Sequence, residues 1–170
     1  MWLLRSWFFC AATLSRVISE MKSLPGFGFS PSNEQIIYYV EKKRLDPDNF
    51  SVHMIQEIDI YSYEPWDLPG MQVSQEQMLY IFSEPYYKYN NSKRAHRRTS
   101  EGYWKSTGEG SKVNQIGRKR ILSFYHHGSK TAWVMHEFYL VKKKDSHYKK
   151  DFVLCLIKKK RDNKHGAFNN

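Results

Sequence analysis

Cysteine is nearly missing from this chain: Cys10 and Cys155 are the only two among 170 residues. They lie far apart, with no set of His and Cys at metal-ligand spacing around them. That argues against a disulfide framework or a zinc site and fits a reducing compartment. Neither a Gly-rich phosphate loop nor a nucleophile elbow occurs, which removes two common enzyme signatures. His126, His127, His136 and Glu137 are the residues that suggest acid–base or metal chemistry. In HEFYL, however, Leu140 stands where a metalloprotease helix needs its second His, and the segment reads as a strand with His136 in the core or on a sheet face. The expectation is a protein that is not an enzyme and uses no cofactor or metal. Internal repeats and low-complexity tracts are also missing. The apolar run from Trp7 to Leu14 is too short to cross a bilayer, and no membrane partner is expected.

What the chain does have is aromatic bulk and an uneven charge. Phe, Trp and Tyr make up 16% of the residues, enough large rings for one domain with a real core. The net charge is +10. Residues 21–85 carry four cations against ten acids, and residues 86–130 carry eleven against two. A chain that is acidic first and basic second points to a partner of dense negative charge, a nucleic acid or an anionic surface. Residues 1–20 read as an N-terminal extension, disordered or dispensable. They faintly resemble a secretory signal, against which stand the basic clusters and the missing Cys pairs. Residues 21–160 form the domain and residues 161–170 a short basic and polar tail.

Local patterns place the elements. Ser32 caps a helix of about three turns, with Gln35 positioned to bond back to it as in a capping box. Ile36, Ile37 and Val40 form its apolar side, and Asp46-Pro47 stops it. Residues 55–70 read as a short helical turn and an extended strap, with Trp66 plugging the core. From residue 78 the period changes to two: MLYIFS, RILSFYHH, TAWVMHEFYLV and FVLCLIKK read as strands. Residues 119–141 form a hairpin around His127-Gly128-Ser129-Lys130. Both faces of its second arm carry bulk, so that strand should be central and covered on both sides.

Between residues 93 and 120 the chain sets Lys93, Arg94, Arg97, Arg98, Lys105, Lys112, Arg118, Lys119 and Arg120 against Glu101 and Glu109. Held on a frame, such cations suit phosphate, because released counterions supply much of the affinity. GYWKSTG provides a frame: alternation turns Tyr103, Lys105 and Thr107 one way and Trp104, Ser106 and Gly108 the other. Two other readings stay open. The cations could be solvated edge-strand charges that discourage aggregation. Tyr86, Tyr87, Tyr89 and Tyr103 could instead stack the bases of a single strand.

LPGFGFSPSNEQIIYYV, EIDIYSYEPWDLP, YKYNNSKRAHRRTSEGYWKSTG, GRKRILSFY, KTAWVMHEFYL and FVLCLIKK together, in this order, resemble the NAC domain of plant transcription factors. The resemblance runs from about Leu24 to Lys159. It implies an α+β fold, a twisted antiparallel β-sheet flanked by a few helices. It also implies a nuclear regulator that inserts residues 102–108 into the major groove of double-stranded DNA, through Arg94, Arg97, Lys105, Lys112, Lys119 and Arg120. Leu24, Pro25, Gly26, Phe27, Gly28 and Phe29 would form the dimer interface with a like chain or another NAC-family protein. Gly28 stands where the family usually has Arg, and Gln35 where an acid is expected, so the intersubunit ion pair is missing and dimerisation weakened. Gly110-Ser111-Lys112 and Ser106 also depart from the family pattern. The clusters VKKKD and IKKKRDNK could act as nuclear-import signals or as Lys-rich strand ends. The chain ends at Asn170, and the expectation is DNA binding without an activation region of its own.

Overall fold

The computed structural model describes residues 28–74, 77–85, 96–141 and 147–160. The chain divides between Pro31 and Ser32 into two units. Of the first, residues 28–31 are described: an irregular segment in which Gly28 is exposed and Phe29 half-buried. Leu24, Pro25, Gly26, Phe27, Arg94 and residues 161–170 lie outside the described residues.

Helix α1 (Asn33–Leu45) starts at a capping box. The Ser32 hydroxyl accepts from the Gln35 N–H at 3.2 Å, and the Gln35 carbonyl oxygen accepts from the Ser32 N–H at 2.8 Å. Those bonds satisfy backbone donors that a helix start leaves free, an effect of about 1 kcal/mol. Ile36, Ile37 and Val40 are buried as expected, and Lys43 and Arg44 join them. Lys43 reaches Glu57 at 2.6 Å, and Arg44 reaches Asp151 at 2.6 Å while lying over the Tyr148 ring. Their stems pack in the interior while their charged ends find oxygen, a division long cations allow. A Cβ on Gly117 would meet three Ile37 atoms at 2.5–2.6 Å, so the helix seats directly on bare backbone there.

Among the described residues there are seven strands: β1 (Ile55–Glu57), β2 (Met78–Ser83), β3 (Gly102–Ser106), β4 (Ser111–Lys112), β5 (Gly117–His126), β6 (Ser129–Leu140) and β7 (Val153–Lys159). They form one twisted open sheet in the order β1-β2-β7-β6-β5-β3, with β4 also on β5. Its pairings are antiparallel except β1 with β2, which is parallel, so the sheet is mixed rather than wholly antiparallel. Where a short helical turn is expected to open the stretch at residue 55, Ile55–Glu57 form β1 instead, and a single 3-10 turn follows at Ile60–Ser62, capped by Asp59. Strand β6 is central and buried on both faces, as its bulk foretold.

The two sheet faces have different covers. Helix α1 lies over β5, β6 and β7 on one, which is the helix face. On the other, the strap face, Ile60, Leu68 and Met71 pack with Ile81, Trp104, Leu122, Phe124, Trp133, Met135, Val153, Cys155 and Ile157. Trp66 is only partly buried against this cluster, edge-on to Phe124 at 5.8 Å. Each large side chain removed from water there contributes roughly 1.5–3 kcal/mol.

The β5–β6 hairpin closes on a two-residue turn with φ of 47° at His127 and 81° at Gly128. Positive φ at both positions matches the twist of the flanking strands, and glycine takes it without steric cost. Nearby the β5–β6 register shifts between Ser123 and Tyr125. The Thr131 hydroxyl fills the gap, donating to the Phe124 carbonyl at 3.0 Å and accepting from the Trp133 N–H at 3.2 Å.

Candidate functional site

Strand β3 is the edge of the sheet beside β5. Trp104 holds it down, 4% exposed and tilted against Phe124 at 5.0 Å. Gly102 lets it lie close, because a Cβ there would fall on the Phe124 ring and the Tyr125 carbonyl. Past Trp104 the strand comes into the open: Lys105, Thr107 and Gly108 are exposed, and nothing lies within 4 Å of where a Gly108 Cβ would stand. This exposed segment is nonetheless fixed. Thr107 donates from both its N–H and its hydroxyl to the Ile121 carbonyl, at 3.0 and 3.1 Å, and the Ser106 hydroxyl donates to the Gly108 carbonyl at 2.7 Å.

Strand pairing sorts the cations singled out in the sequence. Lys105 opposes Ser123 and Lys119 opposes Phe138, so both project from the helix face. Their ammonium groups stand 5.6 Å from the Tyr125 ring centre and 5.4 Å from that of Phe138. Lys112 opposes Arg118, which opposes Tyr139, and this pair projects from the strap face with Arg120. Arg120 lies over the Tyr139 ring at 4.1 Å. The cations therefore flank the β3–β4 edge on both sides instead of forming one row.

Arg97 is placed differently. Its side chain is 15% exposed, and its guanidinium donates to both Glu137 carboxylate oxygens at 3.1 and 3.3 Å. Glu137 has a side chain 6% exposed and a second cation, the Arg120 Nε, at 3.7 Å, beyond hydrogen-bonding distance. Burial works against the Arg97 charge, but Glu137 and then Tyr61 outweigh it and raise its pKa. Burial, reinforced by the same Glu137, pushes the Tyr61 hydroxyl and the Cys155 thiol upward. The Arg97 backbone also holds β3, its carbonyl accepting from the Trp104 N–H at 2.8 Å. Arg97 thus points to the strap face and Lys105 to the helix face.

Three cations that the sequence reading did not count as DNA contacts share the face of Lys105 and Lys119. Lys130 opposes Tyr125, Lys158 opposes Val134, and the Lys160 N–H bonds the Ala132 carbonyl. Alternation along FVLCLIKKK would have put Lys158 and Lys160 on one side. His136 sits among them, half-buried. Burial first, and then the charges of Lys119, Lys158 and Lys160, hold its pKa at about 4 instead of 6.5. Glu137 belongs to the opposite face, so His136 and Glu137 do not meet. Tyr103 is half-buried and stacked on Tyr125 at 5.3 Å with an 8° tilt. Tyr86, Tyr87 and Tyr89 lie outside the described residues. No helix among the described residues is long and apolar enough to cross a membrane.

Comparison with known proteins gives this arrangement a family. The family model for No apical meristem (NAM) protein matches residues 24–140. NAC domain-containing protein 54 of Oryza sativa subsp. japonica is 38% identical over 149 residues, which cover 80% of this chain and 23% of that protein. NAC domain-containing protein 86 of Arabidopsis thaliana is 40% identical over 126 residues, 68% of this chain and 26% of its own. NAC transcription factor 32 of Arabidopsis thaliana is 35% identical over 156 residues, covering 84% and 62%. The chain spans about a quarter of the length of the first two. A family match over most of the sheet, joined to the mixed α+β architecture and the motif order, places the chain in the NAC-domain family of plant transcription factors.

Proposed function

We propose that the chain is a sequence-specific regulator of transcription that binds double-stranded DNA in the nucleus, entering the major groove edge-on with residues 102–108. The observation that carries this reading is the fixed, exposed end of β3, with Lys105 at its tip and cations on both flanks. A major groove about 12 Å wide admits a narrow β-element. An edge-on approach sets Lys105, Lys119 and the helix-face lysines against one phosphate wall, and Lys112 and Arg120 against the other. Lys105 and Thr107 then reach base edges. Arg97 acts through Glu137 and the Trp104 N–H, holding β3 in place from within, and Arg94 belongs to the contact set by its position in the motif.

Association with another NAC-family chain through residues 24–29 belongs to the same reading, weakened in this protein. Gly28 offers no side chain, and Gln35 carries no charge, its side-chain oxygen accepting from the Ser32 N–H in the capping box. The Tyr103–Tyr125 stack favours duplex over single strand, because those rings already occupy each other.

Competition between duplex and single-stranded probes tests the reading. Lys105→Ala should weaken duplex binding, leave the fold intact because Lys105 is exposed, and reduce the log–log salt slope by about 1. Equal affinity for both probes, or an unchanged affinity in the variant, overturns it.

A further inference from the structure

We propose that Glu101, His126 and His127 form a site for a first-row divalent transition metal ion, such as Zn²⁺, at the closed end of the β5–β6 hairpin. One donor atom from each residue lies within 4.8 Å of the other two. The Glu101 Oε2 and His126 Nε2 are already 3.0 Å apart. Neighbouring residues of a regular strand point to opposite faces and could not share an ion. Here the chain leaves the strand at His127 with φ of 47°, which brings its ring to 4.0 Å from that of His126. Because Gly102 opposes His126, the β3–β5 ladder delivers Glu101 to the same end of the hairpin.

The donor set suits the ion. Imidazole nitrogen is a good ligand for zinc, copper and nickel, and a carboxylate completes a mixed nitrogen and oxygen set. Zinc bonds of about 2.0–2.2 Å place tetrahedral ligand atoms roughly 3.4 Å from one another. The Glu101–His126 pair is near that separation, and small side-chain rotations bring His127 in. The turn is exposed, so water fills any remaining position. Behind the site the Trp66 ring meets His126 edge-on at 5.1 Å and fixes its plane. Sequence spacing concealed the cluster, since Glu101 joins from 25 positions away. The proposal is independent of the DNA-binding reading.

Calorimetric titration of Zn²⁺ into the metal-free full chain tests it, beside His127→Asn and Glu101→Gln. Asparagine accepts the positive φ of the turn, so His127→Asn keeps the hairpin and loses only the imidazole. The wild type should take up one ion saturably, and each variant should bind at least about tenfold more weakly. Cu²⁺ should quench tryptophan emission through Trp66, with Trp66→Phe abolishing that component. Wild-type affinity in His127→Asn would put the ion on another histidine and overturn the proposal. Uptake that never saturates would overturn it too.

Discussion

Removing the Arg97 side chain tests whether the fold depends on a charge pair inside the sheet. Arg97→Ala would strand Glu137, whose side chain is 6% exposed, with only the Arg120 Nε at 3.7 Å. Breaking a buried pair from one side costs about 3–5 kcal/mol, mostly for the carboxylate left without a partner. Against a total of roughly 5–15 kcal/mol for a domain, that is a large fraction. For a domain of this size it corresponds to a fall in Tm of roughly 10–20 °C. Urea and thermal denaturation of the full chain measure the loss, and fluorescence anisotropy with a duplex measures binding. The double variant Arg97→Met with Glu137→Leu removes both charges and should regain most of the stability, as apolar replacements of buried pairs often do. If Arg97 acts by holding β3, duplex binding returns with the fold. A loss below about 1 kcal/mol in Arg97→Ala would refute the buried-pair reasoning. A stable double variant that still fails to bind duplex would return Arg97 to the contact surface.

Two further outcomes follow from the same geometry. Gly102→Ala should cost about 1–3 kcal/mol by chemical denaturation, because the new Cβ lands on Phe124 and the Tyr125 carbonyl; wild-type stability would show that β3 does not lie so close. His136 favours its neutral form in the fold, so the unfolded chain binds more protons, and its contribution to stability is complete above pH 6.5 and lost as pH falls toward 4. Discounted for the half-exposed ring, that contribution is about 1–2 kcal/mol. His136→Gln should flatten the stability profile over this interval relative to the wild type, and identical slopes would contradict the assignment.

Local signals were readable in the sequence, and signals that depend on distant pairing were not. Ser32 and Gln35 form their capping box within one turn, and the alternation of residues 131–140 is a property of that strand alone. The turn at His127-Gly128 was visible for the same reason. Strands β1 and β4 have three and two residues, too few to show a period, and exist through partners elsewhere in the chain. The burial of Lys43 and Arg44 had no local signal, because their acceptors lie after the helix and at Asp151. Arg97 looked like its basic neighbours because Glu137, its reason for being inside, is 40 positions away. In the candidate site, motif and alternation located Lys105 and the Trp104 anchor. The division of the other cations between two faces required the β4–β5 and β5–β6 registers.

Strand β3 also depends on β5 for its place in the sheet. The β5–β6 hairpin joins neighbouring segments through a two-residue turn, so it can form early and at low entropic cost. Strand β3 has the β5 arm as its ladder partner, and on its outer side the bonds from residues 97–99 reach only as far as Trp104. The exposed end of β3 is thus held from one side only, through its ladder with β5 and the two Thr107 bonds to the Ile121 carbonyl, so a change in the hairpin is passed directly to Lys105.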